Sequence, residues 1–299
     1  MTTASSQAPH NHLKADALLL LASLTAAAGW IFSREALSGF APLSFMALRF
    51  SLAGLILAFW GRRQLARLSS KDWRNAAVVG GLFGIAMVFW VIGLKTTEHV
   101  GVGAFLTCLG LVSVPLLTLL FGERASPSVY LAIPVAVAGL ACLSLDSHFS
   151  LGMAELCFLM AALFLALMFI LNSHAAARIP ALPLTAIQLL ITGAITGIGA
   201  LGFEQWSFTQ PADIWGWFAA SLVFATCVRF WVQTHAQGMA PPSHSAIIMT
   251  LEPVWTALLA ALWLGERMST LQITGCGLIF LAMLVNRGPA LRLWLRTLF

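Results

Sequence analysis

Apolar runs of about twenty residues, separated by short polar breaks, constrain this chain more than any motif it carries. A helix rises about 1.5 Å per residue and closes its backbone hydrogen bonds internally, so a run of that length crosses a hydrocarbon layer roughly 30 Å thick. Ten runs are read, at 15–36, 42–60, 74–94, 99–121, 127–145, 151–173, 182–203, 213–234, 241–264 and 270–287. They are too long and too continuous for barrel strands, which alternate over about ten residues. The expected class is all-α integral membrane, with ten transmembrane helices. Composition agrees, since 60% of residues are hydrophobic and 9% charged, with a mean hydropathy of +0.90. The segments between runs leave no room for a separate soluble domain.

The first run follows a polar tail and is long for a signal-peptide core, so it reads as a retained span. Basic residues set the orientation. With a cytoplasmic N-terminus, the inner segments hold Lys14, Arg62, Arg63, Arg67, Lys71, Arg74, Arg124, Arg178, Arg287, Arg292 and Arg296, eleven of the sixteen Lys and Arg. The outer segments hold Arg34, Lys95 and Arg267, which predicts both termini inside. The positive-inside bias and anionic lipid account for the net charge of +5, so no nucleic-acid partner is expected. The five cysteines all fall within runs, without CxxC spacing, and read as small apolar packing.

One phrase occurs twice. Phe121-Gly122-Glu123-Arg124-Ala125-Ser126 returns as Leu264-Gly265-Glu266-Arg267-Met268-Ser269, 143 residues later and each time at the end of an apolar run. Five crossings separate the copies, an odd number, so Arg124 lies inside and Arg267 outside. The halves are then an inverted pair related by an axis in the membrane plane. The correspondence extends along the chain: Thr107-Cys108-Leu109 faces Thr250-Leu251-Glu252 and Ala132 faces Gly275. Near the start of each half the offset falls to 139, where Asp16 matches Glu155, Ser33 matches Asn172 and Arg49 matches Gln188. Each Gly-Glu-Arg is expected to end a helix and pin the following turn, with its Glu pairing locally.

Ten spans in a five-plus-five repeat, Pro42-Leu43 with Leu48-Arg49-Phe50 in span two, and Leu251-Glu252-Pro253-Val254 ahead of Leu264-Gly265-Glu266-Arg267 resemble the EamA-type members of the drug/metabolite transporter superfamily. The resemblance covers residues 15 to 287. Within the family it is nearest in general character to bacterial aromatic amino acid exporters. That narrower likeness includes a departure in span four, where Pro115 stands seven residues before Gly122 while Pro253 stands twelve before Gly265. The resemblance implies a cytoplasmic tail at 1–14, an EamA-like five-helix repeat at 15–145, its inverted partner at 151–287 and a cytoplasmic tail at 288–299. It implies export of small metabolites, aromatic and other neutral amino acids among them, across the bacterial inner membrane by alternating access.

Charges inside spans are the first candidates for chemistry, because an ionised side chain at the bilayer centre costs about 2.5–3.5 kcal/mol even on the lenient insertion scale. Arg49, Arg229 and Glu252 qualify. Glu252 reads either as a cavity carboxylate that binds a substrate ammonium or a proton, or as a brace for the helix that Pro253 interrupts. Arg49 is expected to snorkel or to meet helix-end carbonyls, and Arg229 to attract a carboxylate or to snorkel inward.

Neutral side chains supply the rest of the candidate substrate site. Phe83, Met87 and Trp90 fall at i, i+4, i+7 on span three, a stripe on which a planar substrate could stack or which packs as core. Span six adds Phe164, Met168 and Asn172, span one Trp30 and Ser33, and span four Thr107 among the small residues Gly101, Gly103 and Gly110. His174, His235 and His244 lack metal-ligand spacing, and Walker A, GxGxxG and GxSxG patterns do not occur. No cofactor, metal or enzymatic activity is therefore expected. The expected partners are a small molecule, an amino acid or planar metabolite, and membrane lipid, with the chain a monomer or weak oligomer. A channel and an intramembrane enzyme are the competing classes, and the enzyme lacks a nucleophile and base at one depth.

Overall fold

The computed structural model describes residues 9–96, 100–144, 152–206, 209–264 and 269–298, and all regular structure among them is helical. In chain order the helices are α1 (Pro9–Ala36), α2 (Pro42–Leu65), α3 (Ser70–Thr96), α4 (Val100–Leu117), α5 (Pro127–Ser144) and α6 (Met153–Ala176). There follow α7 (Ala181–Phe203), α8 (Ala212–Leu222), α9 (Arg229–Gln237), α10 (Pro242–Met249), α11 (Glu252–Leu264) and α12 (Thr270–Leu298). A 3-10 turn, Thr118–Phe121, extends α4, and a π-helical stretch, Val223–Val228, joins α8 to α9.

Among the described residues six segments are long and apolar enough to cross a membrane: Leu13–Ala36, Pro42–Leu65, Ser70–Gly93, Met153–Ala176, Ala181–Phe203 and Ala212–Gln237. Shorter apolar helices cover Leu106–Phe121, Pro127–Cys142 and Thr270–Asn286, and the run expected at 241–264 is divided into α10 and α11.

Local chemistry explains many helix ends. Proline opens α2, α5 and α10, where a missing N–H removes no intrahelical bond. Ser69 and Asp72 cap α3 reciprocally, the hydroxyl accepting Asp72 N–H at 3.2 Å and the carboxylate accepting Ser69 N–H at 3.1 Å. Ser269 and Gln272 do the same ahead of α12. Glu204, just past α7, takes the N–H groups of Leu43 and Ser44 at 3.0 and 2.8 Å and so satisfies the free donors that open α2. The first Gly-Glu-Arg is a helix terminator. Gly122 has φ of 76°, its N–H bonds Leu119 O at 3.0 Å, and Glu123 N–H bonds Thr118 O at 3.1 Å, a Schellman arrangement. The second copy lies outside the described residues.

The centre of the bundle is the crossing of α2 and α7. Along α2, Leu43, Ala47, Ser51, Gly54 and Gly61 meet Gly199, Gly197, Gly193, Leu190 and Leu182 in turn. Residue numbers rise on one helix as they fall on the other, so the two run antiparallel. The approach requires glycine: a Cβ on Gly54 would lie 2.7 Å from Leu190 Cγ and 2.9 Å from its N, and one on Gly193 would lie 2.7 Å from Ser51 N. By contrast α3 runs parallel to α7, with Gly80 against Gln188 and Gly84 against Ile195. Around this pair α3 and α4 pack on α6, α1 packs on α8 to α11, and α5 packs on α12.

The exterior suits hydrocarbon. Phe203, Leu262 and Leu120 are 85%, 83% and 78% exposed, side chains that a water-facing surface would gather inward. The close contact of Gly61 with Leu182 brings the end of α2 beside the start of α7. Arg62, Arg63, Lys71, Arg74 and Arg178 therefore collect at one end of the bundle.

Candidate functional site

Three polar side chains interlock where α1, α9 and α11 meet. Glu252 accepts a hydrogen bond from Trp30 Nε1 at 3.1 Å through Oε1, and its Oε2 lies 3.5 Å from Nη2 of Arg229. Pro253 explains why α11 begins there. Without an N–H it cannot continue the α10 ladder, so the chain breaks at Thr250 and Leu251 and a new helix starts with Glu252.

Arg229 follows the π stretch. A π turn holds one more residue than an α turn, which rotates all that follows by about 100°. Within it Thr226 Oγ1 donates to Ser221 O at 3.0 Å, five residues back, and Gly29 of α1 presses against Ala225. With this rotation Arg229 turns to a carboxylate, that of Glu252 on a neighbouring helix, the first of the two readings rather than inward snorkelling.

Arg49 of α2 enters the same region. Its Nη1 donates to Ser33 Oγ at 2.8 Å and Ser221 Oγ at 3.0 Å, tying α1, α2 and α8. Its Cζ stands 4.9 Å from the Phe50 ring centroid and 5.2 Å from that of Phe45, and Arg229 stands 4.2 Å from Phe230. Such ring contacts contribute about 0.5–2 kcal/mol each, less than the insertion cost of the charge, so the hydroxyl and carboxylate partners are needed too.

The two guanidiniums also act electrostatically on each other. Arg49 has no carboxylate within 4.0 Å among the described residues, and the buried Nε atoms of Arg49 and Arg229 have no hydrogen-bond partner. Two cations thus share one anion. The side chains of Arg229 and Glu252 remain 20% and 19% accessible, so their pair is not sealed in packing.

Aromatic groups adjoin the charges. Trp90 of α3 meets Trp30 edge to face, with centroids 5.4 Å apart at 64°. The stripe expected on α3 divides: Trp90 is half-buried beside Trp30, whereas Phe83 and Met87 are buried in the main apolar cluster. There Phe83 lies 5.5 Å from Phe50 and 5.2 Å from Phe230. Met168 is buried in the same cluster and accepts a 3.6 Å contact from Gln188 Nε2. Phe164 stacks on Phe89 at 5.9 Å and 7°. Thr107 stands on α4 beside Cys108, which lies within the field of Glu252, so α4 closes that side.

Ser33 and Asn172, matched through the repeat, have different neighbours. Ser33 holds Arg49, whereas Asn172 is buried and donates to Gln237 Oε1 and, at 3.4 Å, to Thr234 Oγ1. Glu123, expected to pair within its own turn, bonds His174 of α6 at 2.8 Å.

Two features escaped the sequence. Ser221 sits in an unremarkable apolar stretch and gains its role only from the approach of α2. His244 Nε2 bonds Asp16 Oδ1 at 2.8 Å while Asn286 Nδ2 meets its Nδ1 at 3.3 Å, linking α1, α10 and α12. These residues are far apart in the chain, so no local spacing announces them. A cleft of about 290 Å³ between the α6–α7 turn and the end of α9, lined by Ala176, Arg178, His235 and Gly238 among others, touches none of the central cluster.

Apolar helices with a lipid-suited exterior and a charged and aromatic cluster between them define a multi-pass membrane protein. The chain belongs to the EamA-like transporter family, whose model matches residues 13–145 and again 152–287. It is therefore a membrane transporter of small molecules, and the family indicates a transporter rather than an enzyme.

An uncharacterized transporter of Archaeoglobus fulgidus is 26% identical over 278 residues, covering 91% of this chain and 85% of that one. The uncharacterized transporter YcbK of Bacillus subtilis is 29% identical over 116 residues, and the match spans 37% of each chain. A crystal structure of another protein, 20% identical, superposes with a TM-score of 0.80 over 93% of this chain and 98% of that one, which shows the shared fold.

Proposed function

We propose that this chain is a secondary transporter that exports aromatic and other neutral amino acids across the bacterial inner membrane by alternating access. Its ten spans form two inverted five-helix halves, 15–145 and 151–287, with both termini cytoplasmic. The observation that carries the reading is the cluster of Trp30, Trp90, Arg229 and Glu252. Two indole rings offer a planar surface, a guanidinium held by Glu252 offers a complement to an amino acid's carboxylate, and the group is drawn from α1 and α3 on one side and α9 and α11 on the other. Such a site between halves is reached from opposite sides in turn as the halves rock. The basic end of the bundle faces the cytoplasm by the positive-inside bias.

Packing supports the inversion. The family model matches once in each half. At the 139-residue offset Ser51 corresponds to Leu190 and Gly54 to Gly193, so the contacts Gly54–Leu190 and Ser51–Gly193 are one contact made twice about a two-fold axis. The packing of α3 and α4 on α6 has its counterpart in that of α1 with α8 to α11. The resemblance to the aromatic amino acid exporter YddG supports the substrate class.

Counterflow in proteoliposomes tests the reading. Purified protein should exchange labelled tryptophan or phenylalanine for unlabelled amino acid inside, with saturation. Conductance without saturation would make it a channel, and saturable exchange confined to other metabolites would replace the substrate class.

A further inference from the structure

We propose that Arg49 and Arg229 form a carboxylate-binding pair, with Glu252 as its resident counter-ion, so that the compound carried must present a carboxylate on a planar apolar body. The proposal rests on the transporter reading and deepens it by naming the group that the site requires.

The charge inventory of the cluster is unbalanced. Arg229 has Glu252 at 3.5 Å, whereas among the described residues the polar partners of Arg49 are hydroxyls, Ser33 Oγ at 2.8 Å and Ser221 Oγ at 3.0 Å. The two cations lie within each other's field, and each has a buried Nε without a hydrogen-bond partner. Adjacent guanidiniums repel, and an anion bridging them relieves that repulsion while supplying the missing acceptors. Glu252 does not do this in the structure, since it pairs with Arg229 and has no oxygen within 4.0 Å of an Arg49 nitrogen. Only a second anion balances the site, and the partial accessibility of the Arg229–Glu252 pair leaves a route for it.

The surroundings define the remainder of that anion. Phe45, Phe50 and Phe230 lie against the guanidiniums, and Trp30 with Trp90 forms an edge-to-face pair next to Glu252. An aromatic ring attached to a carboxylate by a short chain satisfies both. An ammonium group is dispensable here, because a cation added to a site with an excess of positive charge is opposed by Arg49 and Arg229.

Three indole ligands separate the possibilities in calorimetric titrations of the full-length protein in detergent. Indole-3-propionate has the carboxylate alone, tryptophan has both groups, and tryptamine has the ammonium alone. The proposal expects indole-3-propionate to bind at least as tightly as tryptophan, and tryptamine about tenfold or more weakly, the cost of one charge-assisted hydrogen bond. Arg49→Gln should weaken both carboxylates about tenfold and leave tryptamine unchanged or improved, with Arg49→Lys intermediate. Should Arg49→Gln fail to fold, the three-ligand comparison on the unaltered protein still decides.

Tryptamine binding as tightly as tryptophan, or carboxylate binding unaffected by Arg49→Gln, overturns the proposal. Failure of the transporter reading looks different. Carboxylates would then bind with this order while counterflow stays at the level of protein-free liposomes.

Discussion

Alanine at Gly193 tests the α2–α7 crossing on which the arrangement of the bundle depends. The added Cβ would stand 2.7 Å from Ser51 N and 3.0 Å from Ser51 Cα. Both are backbone atoms, so no rotamer change relieves the clash and the helices must separate by roughly half an ångström. Such overpacking costs about 1–3 kcal/mol, and a gap of that size also weakens dispersion contacts along the crossing. Alanine recovers about 0.8–1 kcal/mol of helix propensity, which leaves Gly193→Ala less stable by at most about 2 kcal/mol. Gly81 of α3 has no atom within 4 Å of its added Cβ, so Gly81→Ala keeps the propensity gain without the clash. Reversible unfolding in mixed micelles, followed by helicity, should separate the two variants by the overpacking cost alone, about 1–3 kcal/mol, because the propensity gain is common to both. Equal stability of the two would refute the close antiparallel crossing.

Other substitutions probe the site and its supports. Trp90→Ala should weaken binding of aromatic ligands with little loss of stability, whereas Met168→Ala, in the buried cluster, should lower stability by about 2–4 kcal/mol. Calorimetry and unfolding on the same samples would expose a reversal. Glu252→Gln leaves Arg229 without its anion and should destabilise the protein by about 1–3 kcal/mol, reduced from the fully buried case by the accessibility of the pair. Flux that keeps its pH profile in this variant would identify Glu252 as a brace, and a lost profile as a coupling group. Gly122→Ala forces a Cβ into the left-handed region at φ of 76° and should cost about 1–2 kcal/mol, with Gly122→Asn less affected, as thermal unfolding would show.

Much of the architecture was legible because membrane helices must be continuous and apolar, and because Gly and Pro mark their ends. The Glu252-Pro253 break shows in the sequence as a missing N–H. The rotation at Val223–Val228 does not, since a π turn leaves no mark on composition, and with it the meeting of Arg229 with Glu252 was hidden. Periodicity on α3 placed Phe83, Met87 and Trp90 on one stripe but carried no information about depth, and depth is what assigns Phe83 and Met87 to the core and Trp90 to the indole pair. The duplication also shows in Phe89-Trp90-Val91, which returns as Phe230-Trp231-Val232 and aligns α3 with α9.

These alignments bear on how a duplicated scaffold acquires a site. Under the inverted-repeat reading, the contacts that set helix positions are the ones that match between halves, as Gly54 with Leu190 and Gly193 with Ser51 do. The charges do not match: Arg49 corresponds to Gln188, Glu252 to Leu109, and Arg229, through the Phe-Trp-Val alignment, to Val88. Gln188 is buried against Met168, so the equivalent location in the other half is closed. Symmetric packing lets two conformations of similar energy exist, since each half can adopt the arrangement of the other. On the alternating-access reading proposed above, a single set of charges at one location would give the carrier one binding site to expose from either side. A variant that installed a second set, Gln188→Arg with Leu109→Glu, would place unpaired charge against packed apolar side chains, and its expected result is loss of folded protein rather than a second site.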